Sequence, residues 1–114
     1  MAYNTHLAER VREYLEKHPE FQFEEKKMFG GLGFMVNGKM CINISGDKLM
    51  CRFDPKEHPE IEEKSGYETM YMKGKSLYGY CYVQPYGFTS EIEFTYWMQL
   101  CLSYNHLARS SKKK

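Results

Sequence analysis

The dipeptide Asn37-Gly38, set between two apolar runs, leaves little room for anything but a tight β-hairpin. A type I′ turn needs positive φ at both central residues, and Asn-Gly tolerates this better than most pairs. Further on, Gly46-Asp47 offers a second two-residue turn. Two such turns fix the pairing of three strands. Across the first, Val36 is expected opposite Lys39, Met35 opposite Met40 and Phe34 opposite Cys41. Across the second, Ser45 is expected opposite Lys48, Ile44 opposite Leu49, Asn43 opposite Met50 and Ile42 opposite Cys51.

Alternate residues of a strand point to opposite sides of the sheet. In this register one face holds Met35, Met40, Ile42, Ile44, Leu49, Cys51 and Phe53, and it is expected to be the core. Gly31 and Gly33 leave room there for a close approach. The other face carries Leu32, Phe34, Val36, Lys39, Lys48, Met50 and Arg52, together with Cys41 and Asn43. Large apolar side chains rimmed by charge mark interaction sites, so those first seven residues form the expected contact surface. The register also puts Cys41 and Cys51 on opposite faces, unable to bond to one another. Four free thiols are expected.

Around this meander the pattern becomes helical. Leu7, Val11, Tyr14, Leu15 and His18 make an apolar stripe over residues 5–17, with Asn4 or Thr5 as cap and Pro19 as stop. Pro59 suits the first position of a short helix over Glu60–Lys64, with His58 near its cap. Residues 68–72 and 77–84 read as two strands; in the second, Tyr78, Tyr80 and Tyr82 are expected on one face. Ser90 with Glu93 is a capping box that opens a last helix. Its stripe is read as Ile92, Tyr96, Leu100, Ser103, Tyr104 and Leu107. The expected fold is α+β, ordered α-β-β-β-α-β-β-α, with an antiparallel sheet covered by helices. Residues 1–110 form one domain and 111–114 a basic tail.

Several functions are disfavoured by what the chain contains. Its 114 residues suit one domain, and the 42% hydrophobic content supplies a core. No apolar run approaches the ~20 residues of a membrane span. The start of the chain lacks the basic and apolar regions of a secretion signal, so the cytoplasm is the expected location. Cys41, Cys51, Cys81 and Cys101 include no Cys-x-x-Cys, and the four histidines form no metal-binding pair. No metal, cofactor or catalytic residue is therefore expected. The net charge of +1 gives little attraction to phosphate. Gly30-Gly31-Leu32-Gly33 is followed by a strand signal rather than a helix, which suits packing glycines better than a phosphate loop.

The run Lys27-Met28-Phe29-Gly30-Gly31-Leu32-Gly33-Phe34-Met35, followed by Asn37-Gly38-Lys39-Met40, resembles the TfoX amino-terminal domain family. Gly79-Tyr80-Cys81-Tyr82-Val83, Trp97 and the ending Ala108-Arg109-Ser110 are similar to it as well. The resemblance spans roughly Leu7 to Ser110 and implies the same α+β arrangement as a stand-alone domain. Longer members carry a second, carboxy-terminal domain. The resemblance also implies association with regulators of bacterial competence and offers no catalytic residues. The expectation is a non-catalytic module that binds a protein partner or a second copy of itself as a homodimer. The alternative is a nucleic-acid-binding accessory domain that uses the tyrosine face and the basic tail.

Overall fold

The computed structural model describes residues 3–107; the tail at 111–114 lies outside the described residues. The chain runs α1 (Thr5–Glu16), β1 (Phe23–Met28), β2 (Gly31–Val36), β3 (Lys39–Ser45), β4 (Lys48–Arg52), α2 (His58–Ile61), β5 (Tyr67–Met72), β6 (Lys75–Val83) and α3 (Glu91–Asn105). Short 3-10 turns at Pro55–Glu57 and Pro85–Gly87 precede α2 and α3. The six strands form one antiparallel sheet ordered β1-β2-β3-β4-β6-β5. The α+β expectation holds, with one strand added. That strand is β1, whose Glu24-Glu25-Lys26-Lys27 run masks its strand character.

The helices lie on one face of the sheet. α1 starts where the Asn4 side chain accepts from the Leu7 amide at 3.1 Å, and it buries Leu7, Ala8, Val11 and Leu15. The Asn4 amide donates to the Gly46 carbonyl at 2.7 Å, so this helix begins tied to the β3–β4 turn. On α3 the Ser90–Glu93 capping box is present. The buried side of α3 carries Phe94, Trp97, Met98, Leu100, Cys101, Leu102 and Asn105, of which Leu100 belongs to the expected stripe. This differs from the stripe expected from sequence, because Ile92 and Leu107 face outward. At the far end of α3, Lys39 donates to the carbonyls of Asn105 and His106 at 3.2 and 3.4 Å. A cation there complements the helix dipole and its unsatisfied carbonyls.

The turn at Asn37-Gly38 has positive φ at both residues, 53° and 82°. Val36 pairs with Lys39 and Met35 with Met40, as the two-residue loop requires. The register then shifts: Phe34 pairs with Ile42 instead of Cys41, and Leu32 with Ile44. Cys41 is the extra residue of a β-bulge. A one-residue slip exchanges the two faces of a strand beyond the slip. Leu32, Phe34 and Val36 therefore share the helix-covered face with Ile42, Ile44, Leu49, Cys51 and Phe53, and all are buried. The second hairpin keeps its expected register from Ile42↔Cys51 to Ser45↔Lys48.

Among the described residues no helix covers the opposite face. Met35, Met40, Met50 and Met70 form their own buried cluster there, with Met28, Leu77, Tyr80 and Tyr82 partly buried against it. The sheet is thus apolar on both sides, with branched and aromatic residues beneath the helices and thioethers on the other side. Unbranched Met side chains fill irregular gaps well, which suits a face that must close over itself.

The bulge makes the face assignment testable by denaturant melts. Ile42→Ala is expected to cost ~2–5 kcal/mol, since Ile42 is buried against the helices. The double variant Phe34→Glu with Met50→Glu is expected to lose its circular dichroism signal, because both carboxylates would enter closed layers. Lys48→Ala is expected to cost less than about 1 kcal/mol, as its ion pair with Glu68 is part-exposed. A folded double variant would show that the bulge has been misplaced.

Candidate functional site

The surface expected from sequence is dispersed by the fold. Leu32, Phe34 and Val36 are core, Lys39 caps α3, and Met50 belongs to the methionine layer. The correction follows from the bulge at Cys41, which turned the β2 part of the expected mixed face toward the helices. Only Lys48 and Arg52 remain among the outward groups of that set. Lys48 reaches Glu68 at 3.0 and 3.1 Å and lies 5.2 Å from the Tyr82 ring centre. The Arg52 guanidinium lies 5.6 Å from the Tyr80 ring centre and donates to the Met40 carbonyl at 3.3 Å. Both cations already have partners within the sheet.

The three tyrosines of β6 do not share a face. Gly79 has φ +87°, and β5 and β6 change register between Thr69 and Tyr71. Tyr80 and Tyr82 stay against the methionines. Tyr78 instead stacks on His58, with centroids 4.3 Å apart and planes 14° from parallel.

His58 is the most consequential residue that sequence reading placed without a role. It is buried at the start of α2. Its Nδ1 accepts from the Gly79 amide at 3.1 Å, and an amide can only donate, so the ring proton sits on Nε2. Nε2 lies 3.0 Å from the Tyr67 hydroxyl and 3.5 Å from a Glu62 oxygen. Phe53, Tyr67 and Tyr78 surround the ring. Glycine suits position 79, where φ is +87° and a Cβ would lie 3.1 Å from the Phe53 carbonyl and 3.0 Å from Pro55. Together these contacts fasten α2 to the β5–β6 hairpin. The separation of 21 positions between His58 and Gly79 explains why no local pattern signals the pair.

With α2 fixed, a groove opens between it and α3. One concavity of about 710 Å³ is lined by Glu57, Pro59, Glu60 and Glu63. A second, of about 310 Å³, is lined by Gly87, Ile92, Glu93 and Trp97. Lys64 and Tyr96 border both, with the Lys64 ammonium 4.6 Å above the Tyr96 ring centre. Ile92 is 84% exposed at the lip, and Tyr96 is half-buried. Burial raises the Tyr96 hydroxyl pKa, and the nearby Glu57 and Glu60 add to the shift. The Trp97 indole N–H donates to the Gly87 carbonyl at 3.0 Å, which fixes two residues of the wall to each other. The outward position of Ile92 could have been found in the sequence by testing the alternative stripe Phe94, Trp97, Met98 and Cys101.

The four cysteines lie together under the helices. Cys51 and Cys81 are directly opposite on adjacent strands. Cys41 and Cys51 also share this core, because Cys41 is the bulge residue. All four thiols are free and buried. Contacts with the thiols of Cys101 and Cys81, and then burial, push Cys51 well above the usual thiol range; burial does the same for Cys41. A protonated buried thiol is a poor nucleophile.

The Met28-Phe29-Gly30-Gly31 run forms the β1–β2 hairpin. Phe29 has φ 54° and is exposed, an uncommon conformation for a bulky residue. A Cβ on Gly31 would lie 1.9 Å from the Ile44 carbonyl, so no side chain fits there. Next to it, Asn43 donates to the Met28 carbonyl at 3.1 Å while its own carbonyl oxygen is buried without a partner.

A six-stranded antiparallel sheet with helices on one face and a self-closed methionine layer on the other defines a small α+β domain. The chain belongs to the TfoX N-terminal domain family, whose model matches residues 13–104. No curated protein and no solved structure gives a significant match. Among the described residues no helix is long and apolar enough to cross a membrane.

Replacing His58 separates its two contributions. His58→Ala is expected to cost ~2–4 kcal/mol in denaturant melts, through a cavity and an orphaned Gly79 amide. His58→Phe keeps a ring against Tyr78 but leaves that amide unpaired, and should still cost ~1–3 kcal/mol. A loss below about 0.5 kcal/mol for both would remove His58 as the fastener of α2. In the native protein a thiol reagent should react slowly with all four cysteines, and unfolding should release four rapid reactions. Rapid native labelling at any one of them would contradict their burial.

Proposed function

We propose that this chain is a non-catalytic protein-interaction module, acting in the cytoplasm in a regulatory role of the kind that TfoX-family membership implies. The observation that carries the reading is Ile92. A large aliphatic side chain is 84% exposed at the head of α3, beside the half-buried Tyr96 in the α2–α3 groove. Apolar groups presented next to a concavity, with charge around them, fit recognition of another protein better than general solubility. The core is complete without Ile92, so folding gives no reason for its character. The buried thiols, with those of Cys41 and Cys51 pushed well above the usual range, fit a binding role better than a nucleophilic one.

The nucleic-acid alternative loses ground on two observations. Tyr78 stacks on His58 while Tyr80 and Tyr82 pack against the methionines, so the three rings form no common platform, and the Lys48 ammonium is held by Glu68. A base-stacking platform needs both exposed rings and available cations.

A photo-crosslinking amino acid at position 92, introduced in the native cell, should yield a discrete heavier species. The same group at the exposed Ser103 of α3 should not. Size-exclusion chromatography distinguishes a foreign partner from a second copy. If probes at position 92, in the β5–β6 turn and on the outer sheet face all yield no adduct, the module reading fails.

A further inference from the structure

The groove between α2 and α3 is lined by more acidic than basic groups. Glu57, Glu60 and Glu63 are exposed along its α2 wall, and among the described residues no ion pair engages them. The cation that borders the groove, Lys64, sits on the face of Tyr96 rather than against a carboxylate. The ring therefore already accepts a positive charge on its face. The second concavity supplies the apolar part, with Ile92 at its lip and Trp97 in its wall.

We infer that the groove binds a basic segment of a partner protein, in which Lys or Arg side chains flank one large apolar anchor. The anchor would pack on Ile92 and enter the smaller concavity. The flanking cations would meet the carboxylates of Glu57, Glu60 and Glu63. Nucleic acid and acidic peptides are repelled by the same three carboxylates. A second copy docking groove to groove would oppose like charges across its own symmetry axis. The inference rests on the protein-interaction reading and specifies its site and the chemistry of the partner.

Two amphipathic peptides of equal length test it, one built of leucine and lysine and the other of leucine and glutamate, each labelled with fluorescein. Anisotropy should show binding of the lysine peptide alone, weakening as salt is raised, because exposed charges are screened within about 10 Å at 0.1 M. Amide NMR shifts should map to Lys64, Ile92 and Tyr96. Glu57→Lys with Glu60→Lys should weaken binding at least ~10-fold, equivalent to about 1.4 kcal/mol. Ile92→Ser should weaken it without changing the salt dependence. These side chains are exposed, and unchanged circular dichroism confirms that the variants fold. Equal binding of the two peptides, shifts confined to the methionine face, or unchanged affinity after charge reversal would each overturn the assignment. So would no binding up to about millimolar peptide, a level that still corresponds to only about 4 kcal/mol. A crosslinked partner that survives the charge reversal would reject the basic-segment inference and leave the interaction module standing; absence of any adduct rejects the module itself.

Discussion

One extra residue in one strand decides which side of this protein is inside. With Cys41 counted into a regular ladder, Leu32 and Phe34 would face away from Ile42 and Ile44. With Cys41 bulged, all four point at the helices. Everything packed above the sheet depends on that step. Val11 and Leu15 of α1, and Trp97 and Met98 of α3, close over this apolar surface. The methionine layer is the other consequence, because the slip leaves Met35 and Met40 on the side without helices.

The groove depends on a second, more local constraint. α2 is a single turn with few side chains to bury, Ile61 and His58 among them. Such a short helix is not stable alone. His58 holds it by accepting from Gly79, stacking on Tyr78 and meeting the Tyr67 hydroxyl. The acidic wall of the groove is thus suspended from the β5–β6 hairpin on one side of the molecule, while the capping box sets the head of α3 on the other.

Much of this was legible in the chain. Asn37-Gly38, Gly46-Asp47, the Asn4 cap and the Ser90–Glu93 box each act over a few residues, and local chemistry specifies them. The family run around Met28-Phe29-Gly30-Gly31 pointed to the correct architecture. What stayed hidden involves choices between nearly equal local states. A bulge at Cys41 competes with a regular pair, and both faces of β2 and β3 are apolar enough to pass as core. The α3 helix carries apolar residues around most of its girth, so two stripes fit its sequence, and only tertiary packing selects the one with Trp97 inside. The contact between His58 and Gly79 joins distant residues through a glycine, which carries no side-chain signal.

The two borders of the sheet remain open to solvent and are finished differently. β1 alternates little and carries Glu24, Glu25, Lys26 and Lys27, with Glu25 paired to Arg12 of α1. β5 has a single charged residue, Glu68, already engaged by Lys48, and breaks its register after Thr69. An unpaired strand edge is a template for another strand unless charge or distortion spoils it. One border is therefore guarded by electrostatics and the other by shape. Salt weakens the first guard and leaves the second untouched, so in concentrated, high-salt solution the β1 border is where chain-to-chain sheet growth would begin.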